Sequence, residues 1–102
     1  MYAFTQDLPI TTDIYERIMK GVGTAPADGC ILHAVVRIDG GLRYIDIWES
    51  REACDRFLEE RVHPVLQAAF KAAGAALPQE PDRIEVELID LNVFPPTPVV
   101  LV

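Results

Sequence analysis

A chain of 102 residues has the size of one domain, which leaves no room for a catalytic unit with a separate cofactor module. Half of the residues are apolar, and 16 acidic against 9 basic side chains leave a formal charge of −7. That combination excludes a disordered chain and argues against nucleic acid or an anionic membrane as partner.

The acidity is expected to keep a small apolar domain soluble. Cys30 and Cys54 have no CxxC or Cys/His cluster around them and read as buried small hydrophobes, with no metal site expected. No basic stretch followed by an apolar core opens the chain, and no run approaches the ~18 apolar residues of a membrane span. A cytoplasmic protein is expected.

Residues 1–6 alternate, with Tyr2, Phe4 and Gln6 on one face and Ala3 and Thr5 on the other, and Pro9 closes this first predicted strand. Thr11, Thr12 and Asp13 offer N-cap oxygens. Ile14, Tyr15, Ile18, Met19 and Val22 then recur at helical spacing, and Gly21 and Gly23 end the helix.

Strands over 30–38 and 42–49 flank Asp39-Gly40-Gly41, which has the chemistry of a tight hairpin turn. Strict alternation sets Cys30, Leu32, Ala34, Val36 and Ile38 against Ile31, His33, Val35 and Arg37. In the second strand it sets Leu42, Tyr44, Asp46 and Trp48 against Arg43, Ile45, Ile47 and Glu49. No face is cleanly polar, so partial cover is expected on both sides of the sheet.

Ser50 is a good N-cap for a helix whose inward stripe is Ala53, Cys54, Phe57, Leu58 and Val62. Arg51, Glu52, Asp55, Arg56, Glu59, Glu60 and Arg61 read as its solvated face, with Glu52 and Arg56 the clearest i,i+4 pair. Pro64 is expected to kink this helix or to start another that runs to Gly74. A fourth strand over 83–93 follows, and Glu85 and Glu87 mark it as an edge. Residues 95–102 form a proline-rich extended tail with an apolar end, outside a domain of 1–94.

Strand, helix, hairpin, helix, strand is the ferredoxin-like βαββαβ order. It predicts an α+β fold with a four-stranded antiparallel sheet and the helices on one face. The opposite face then needs cover, and a second copy is the expected partner, with the 99–102 tail packing on the neighbour.

The run Tyr44-Ile45-Asp46-Ile47-Trp48-Glu49-Ser50-Arg51-Glu52-Ala53, followed by Phe57-Leu58, resembles the third-strand to second-helix signature of the dimeric α+β barrel superfamily. Within it the antibiotic-biosynthesis monooxygenase-like branch is the nearest, and Asn92-Val93-Phe94 resembles the ending of small bacterial members of uncharacterised function. The resemblance covers residues 1–94. It implies a homodimer closing into an α+β barrel through its sheet faces.

For function the resemblance implies cofactor-independent, monooxygenase-like or isomerase-like chemistry on a small aromatic or quinone-like compound. The alternative is a non-catalytic dimeric domain that binds a small hydrophobic molecule or serves a pathway enzyme. Haem-degrading members carry an Asn on the first strand, a Trp in the second helix and a haem-ligating His beyond it. Gln6 or Asp7, Phe57 and about Gln67 stand at those places here, so no haem and no other cofactor is expected.

Two residues are candidates for acid–base work. His33 has the only near-neutral reference pKa in its strand, ~6.5, which suits proton abstraction from an activated phenol; its plain alternative is a histidine satisfied by a neighbour. Asp46 would be an acid or base if enclosed in an apolar cavity, or else a structural partner of Arg37, Arg43 or a helix-end donor. Tyr44 and Trp48, in line with Asp46, and Phe57 from the following helix are expected to wall a substrate pocket between sheet and helices.

Overall fold

The alternating first residues form β1, Tyr2–Leu8, which lies inside the sheet with a neighbour on each side. The computed structural model describes residues 1–94; the expectation for the 95–102 tail lies outside the described residues. After β1 come α1 (Thr12–Val22), β2 (Cys30–Ile38), β3 (Gly41–Trp48), α2 (Arg51–Phe57), a π-helical turn (Leu58–Val62), α3 (His63–Ala72) and β4 (Arg83–Glu85). The four strands form one antiparallel sheet in the order β2-β3-β1-β4, the predicted ferredoxin-like α+β arrangement.

Local chemistry accounts for the boundaries. The Thr11 hydroxyl accepts from Ile14 N–H at 3.2 Å and starts α1, and the Ser50 hydroxyl accepts from Ala53 N–H at 3.1 Å and starts α2. The β2–β3 hairpin turns through Asp39 and Gly40, with Gly40 at φ +82°. Gly41 has to be glycine for a different reason: a Cβ there would collide with the Leu8 carbonyl of the adjoining strand.

The register pairs Tyr2 with Trp48, Phe4 with Asp46 and Gln6 with Tyr44, so these six side chains share the face that the helices cover. Tyr2, Phe4 and Trp48 join Ala53 and Cys54 of α2 in the buried core, with Ala27, Cys30, Phe57 and Leu58 packed around them. On the opposite face Leu32, Ala34, Val36, Ile45 and Ile84 have no covering layer among the described residues. Val36, Ile45 and Ile84 are exposed there, and the Asp7–Arg43 ion pair at 2.7 Å supplies polar relief.

Three expectations are corrected. Strict alternation in β2 fails because its register slips between Cys30 and Leu32, which leaves Ile31 as an extra residue. Cys30 opposite Trp48 and His33 opposite Asp46 therefore fall on the same, helix-covered face. The fourth strand is not eleven residues long but Arg83–Glu85, extended by one bond from Val86 N–H to the Ala3 carbonyl at 3.0 Å. In this register Glu87 falls opposite Tyr2, the first residue of β1, so residues 88–94 lie beyond the start of their partner strand.

Pro64 stands in the first turn of α3, in keeping with the expectation of a second helix running to Gly74. The wider turn of Leu58–Val62, in which His63 N–H reaches back to the Leu58 carbonyl, joins α2 to it. The i,i+4 ion pair on α2 is Arg51–Asp55 at 3.7 Å rather than Glu52–Arg56. Among the described residues no helix is long and apolar enough to cross a membrane.

Candidate functional site

The two-residue repeat of β3 delivers Tyr44, Asp46 and Trp48 in a row, and the bulge in β2 turns His33 toward Asp46. His33 Nδ1 lies 2.7 Å from Asp46 Oδ1, and Trp48 Nε1–H donates to Asp46 Oδ2 at 3.0 Å. Asp46 is buried, and the His33 side chain keeps 29% of its surface. Asp46 is thus not held by Arg37 or Arg43, as a structural role had predicted; Arg43 points to the opposite face and holds Asp7.

A carboxylate can only accept hydrogen bonds, so Asp46 accepts one from Trp48 Nε1–H and one from His33 Nδ1–H. That assignment places the free lone pair of the imidazole on Nε2. Tyr15, from α1, donates its hydroxyl to this nitrogen at 2.9 Å. The resulting chain Tyr15–His33–Asp46–Trp48 has the order of an acid–base dyad, with a base, an orienting carboxylate and a donor that fixes the carboxylate.

Burial, and after it the Asp46 carboxylate, pushes the Tyr15 phenol above its ordinary range. Burial does the same to Tyr44 more strongly, with Tyr15 and Asp46 adding to it. Both therefore stay protonated and act as hydrogen-bond donors at neutral pH. The rings also meet edge to face, Tyr44 with His33 at 5.1 Å and with Tyr15 at 5.7 Å between centroids.

His33, Tyr44, Asp46, Trp48 and Phe57, the five residues singled out from the sequence, line one cavity of about 210 Å³ between sheet and helices. An apolar cavity of about 150 Å³ suffices for benzene. The space is therefore large enough for one substituted ring. Phe4, Met19, Leu58 and Val62 complete an apolar lining, and Trp48 and Phe57 pack with centroids 5.5 Å apart. A second, larger hollow along Glu85–Leu91 is open to solvent and holds none of these groups.

Four contributors were not singled out from the sequence. Tyr15 appeared only as part of an apolar helix stripe, because its target lies on a strand 18 residues away. Arg61 was assigned to a solvated face, whereas it lines the cavity. The signal was its spacing, i+4 from Phe57 and i+7 from Cys54. Cys30 and Cys54 also line the cavity as free thiols. Burial raises both, Cys54 to about 12 despite the opposing pull of Arg83, so neither is a thiolate nucleophile at neutral pH.

Among the described residues no three His, Cys, Asp or Glu side chains converge on a point where a metal ion would sit. Comparison with protein-family models, curated proteins and solved structures finds no match for this chain.

Proposed function

We propose that the protein is a cytoplasmic, homodimeric, cofactor-independent enzyme that abstracts a proton from a small phenol-like or quinone-like ring. The observation that carries this reading is a His–Asp dyad opening into an apolar, ring-sized cavity. In the proposed step His33 Nε2 takes the proton and the imidazolium is stabilised by Asp46, leaving the ring compound as its conjugate anion. An isomerase-like outcome returns that proton to another atom of the same compound. In a monooxygenase-like outcome the anion reacts with dioxygen, one oxygen atom enters the ring and the other leaves as water, and the ring compound supplies all the electrons as it is oxidised to a quinone, in keeping with the resemblance to antibiotic-biosynthesis monooxygenase-like domains.

Tyr15 has to leave Nε2 before the substrate proton arrives. It sits on α1, in which no residue is fully buried, so its displacement disrupts little packing. The same bond supports a second reading, a non-catalytic binding domain, in which Tyr15 permanently occupies the base.

Resorcinol in deuterium oxide separates the two, because a base speeds exchange of its ring hydrogens by forming the phenolate, which takes a deuteron on a ring carbon and then loses the proton from that carbon as the aromatic ring is restored. The enzyme reading predicts exchange about a hundredfold faster with the protein than without it, and a return to background in His33→Gln, followed by proton NMR. Binding seen as a thermal shift but no faster exchange would favour the binding domain. Absence of both would refute the ring-ligand reading.

The homodimer is supported by the uncovered apolar face with Val36, Ile45 and Ile84, and by the unpaired stretch after Val86. Two free cysteines suit a reducing compartment. Light scattering at micromolar concentration is expected to give twice the chain mass of 11.3 kDa; a monomer would remove the dimer from the proposal.

A further inference from the structure

Arg61 enters the cavity from the π-helical turn, with its guanidinium carbon 4.9 Å from the Phe57 ring centroid. Phe57 packs on Trp48, Trp48 holds Asp46, and Asp46 holds His33. One continuous wall of contacts thus has a fixed cation at one end and the proposed base at the other.

Arg43, Arg51 and Arg83 each lie within ion-pair distance of a carboxylate, whereas Arg17, Arg37, Arg56 and Arg61 have no such partner among the described residues. Of these four, Arg61 is the one that lines the cavity, and backbone carbonyls hold it there. Its Nη1–H groups donate to the carbonyls of Ala25 at 2.8 Å and Pro26 at 3.1 Å, and Nη2–H donates to the carbonyl of Val22 at 3.1 Å. These bonds use at most three of the five N–H donors of a guanidinium. They fix its plane, cap the last carbonyl of α1 and leave a full positive charge beside a cavity that accommodates one ring.

A cap alone needs only the three carbonyl bonds. A guanidinium that keeps donors in reserve, in a protein carrying 16 carboxylates of which none neutralises it among the described residues, is prepared for an anion from outside. We infer that Arg61 binds a carboxylate substituent of the ring compound, which makes the ligand class a monocyclic aromatic acid. The inference rests on the ring-binding reading above and adds the chemical class of its substrate. Arg61 fixes the orientation of the acid, so that the reactive part of the ring is directed along the aromatic wall toward His33.

Salicylate and its uncharged amide, salicylamide, are near-isosteric probes. By calorimetric titration the wild-type protein is expected to bind salicylate at least tenfold more tightly than salicylamide. Arg61→Gln should bring the two affinities together by weakening salicylate alone, and Arg61→Lys should keep part of the preference. Loss of the α1 cap would weaken both probes alike, so their ratio reports recognition and not folding. Equal wild-type affinities, or a preference that survives Arg61→Gln, would overturn the role of Arg61 while leaving ring binding intact. If neither probe binds, the ring-ligand reading fails and this inference fails with it.

Discussion

Asp46→Asn is expected to reverse the tautomer of His33 and abolish base catalysis while leaving the fold nearly as stable. An asparagine offers one acceptor oxygen and one donor NH₂ where the carboxylate offered two acceptors. Trp48 Nε1–H can only donate, so it keeps the oxygen. The NH₂ then faces His33 Nδ1, which has to become an acceptor, and the ring proton moves to Nε2. There it is satisfied by the Tyr15 oxygen. Every hydrogen bond is remade, so the cost in stability should stay near 1 kcal/mol. The lone pair that would take the substrate proton is gone, and ring-proton exchange should fall about a hundredfold, to the background rate. Nitrogen NMR of the imidazole reads the tautomer directly, without substrate. An unchanged tautomer in Asp46→Asn would mean that Asp46 does not set the state of His33.

Trp48→Ala should be the most damaging truncation in the core, at about 3–5 kcal/mol. Trp48 is 3% exposed, stands among Tyr2, Phe4, Ala53 and Cys54, and packs on Phe57. Its loss enlarges a space that is already open beside it and leaves Asp46 Oδ2 without a donor. Domains of this size have total stabilities of about 5–15 kcal/mol, so a large share is removed. Trp48→Phe keeps an aromatic ring but loses the N–H and a third of the ring atoms, and should cost about 2–3 kcal/mol. Urea unfolding at matched protomer concentration measures both, since a dimer's stability depends on concentration. A Trp48→Ala cost below about 1 kcal/mol would show that this ring is not a core residue.

Much of this organisation was legible in the chain. The Thr11 and Ser50 caps, the Asp39-Gly40 hairpin and the alternation of β3 are local features, and each appears where local chemistry puts it. His33, Tyr44, Asp46, Trp48 and Phe57 could be singled out because rings and titratable groups on apolar faces are few. Their mutual arrangement was not legible. Strict alternation placed His33 opposite Cys30, and only a one-residue bulge at Ile31 puts both on the covered face. A bulge is decided by how two strands pair, and no residue type in 30–38 announces it.

Long-range partners are the other category. Asp46 had three cationic or helix-end candidates on paper, and took His33 and Trp48 because these share its face, while Arg43 projects from the other side. Tyr15 reaches His33 across the space between helix and sheet. Arg61 had the spacing of an inward residue, yet its charge argued for solvent until three backbone carbonyls of 22–26 were brought to it by the packing of α1.

Length, composition and charge had restricted the chain to one small, apolar, acidic domain, and these are properties of residues counted without regard to place. The order of its elements followed from periodicity and caps, which act over a few residues. Where the fourth strand stops, which carboxylate meets the histidine and which arginine faces the cavity were decided only by the tertiary structure. Each depends on register and packing between segments far apart in sequence, where side-chain identity specifies what can bond but not what it will meet.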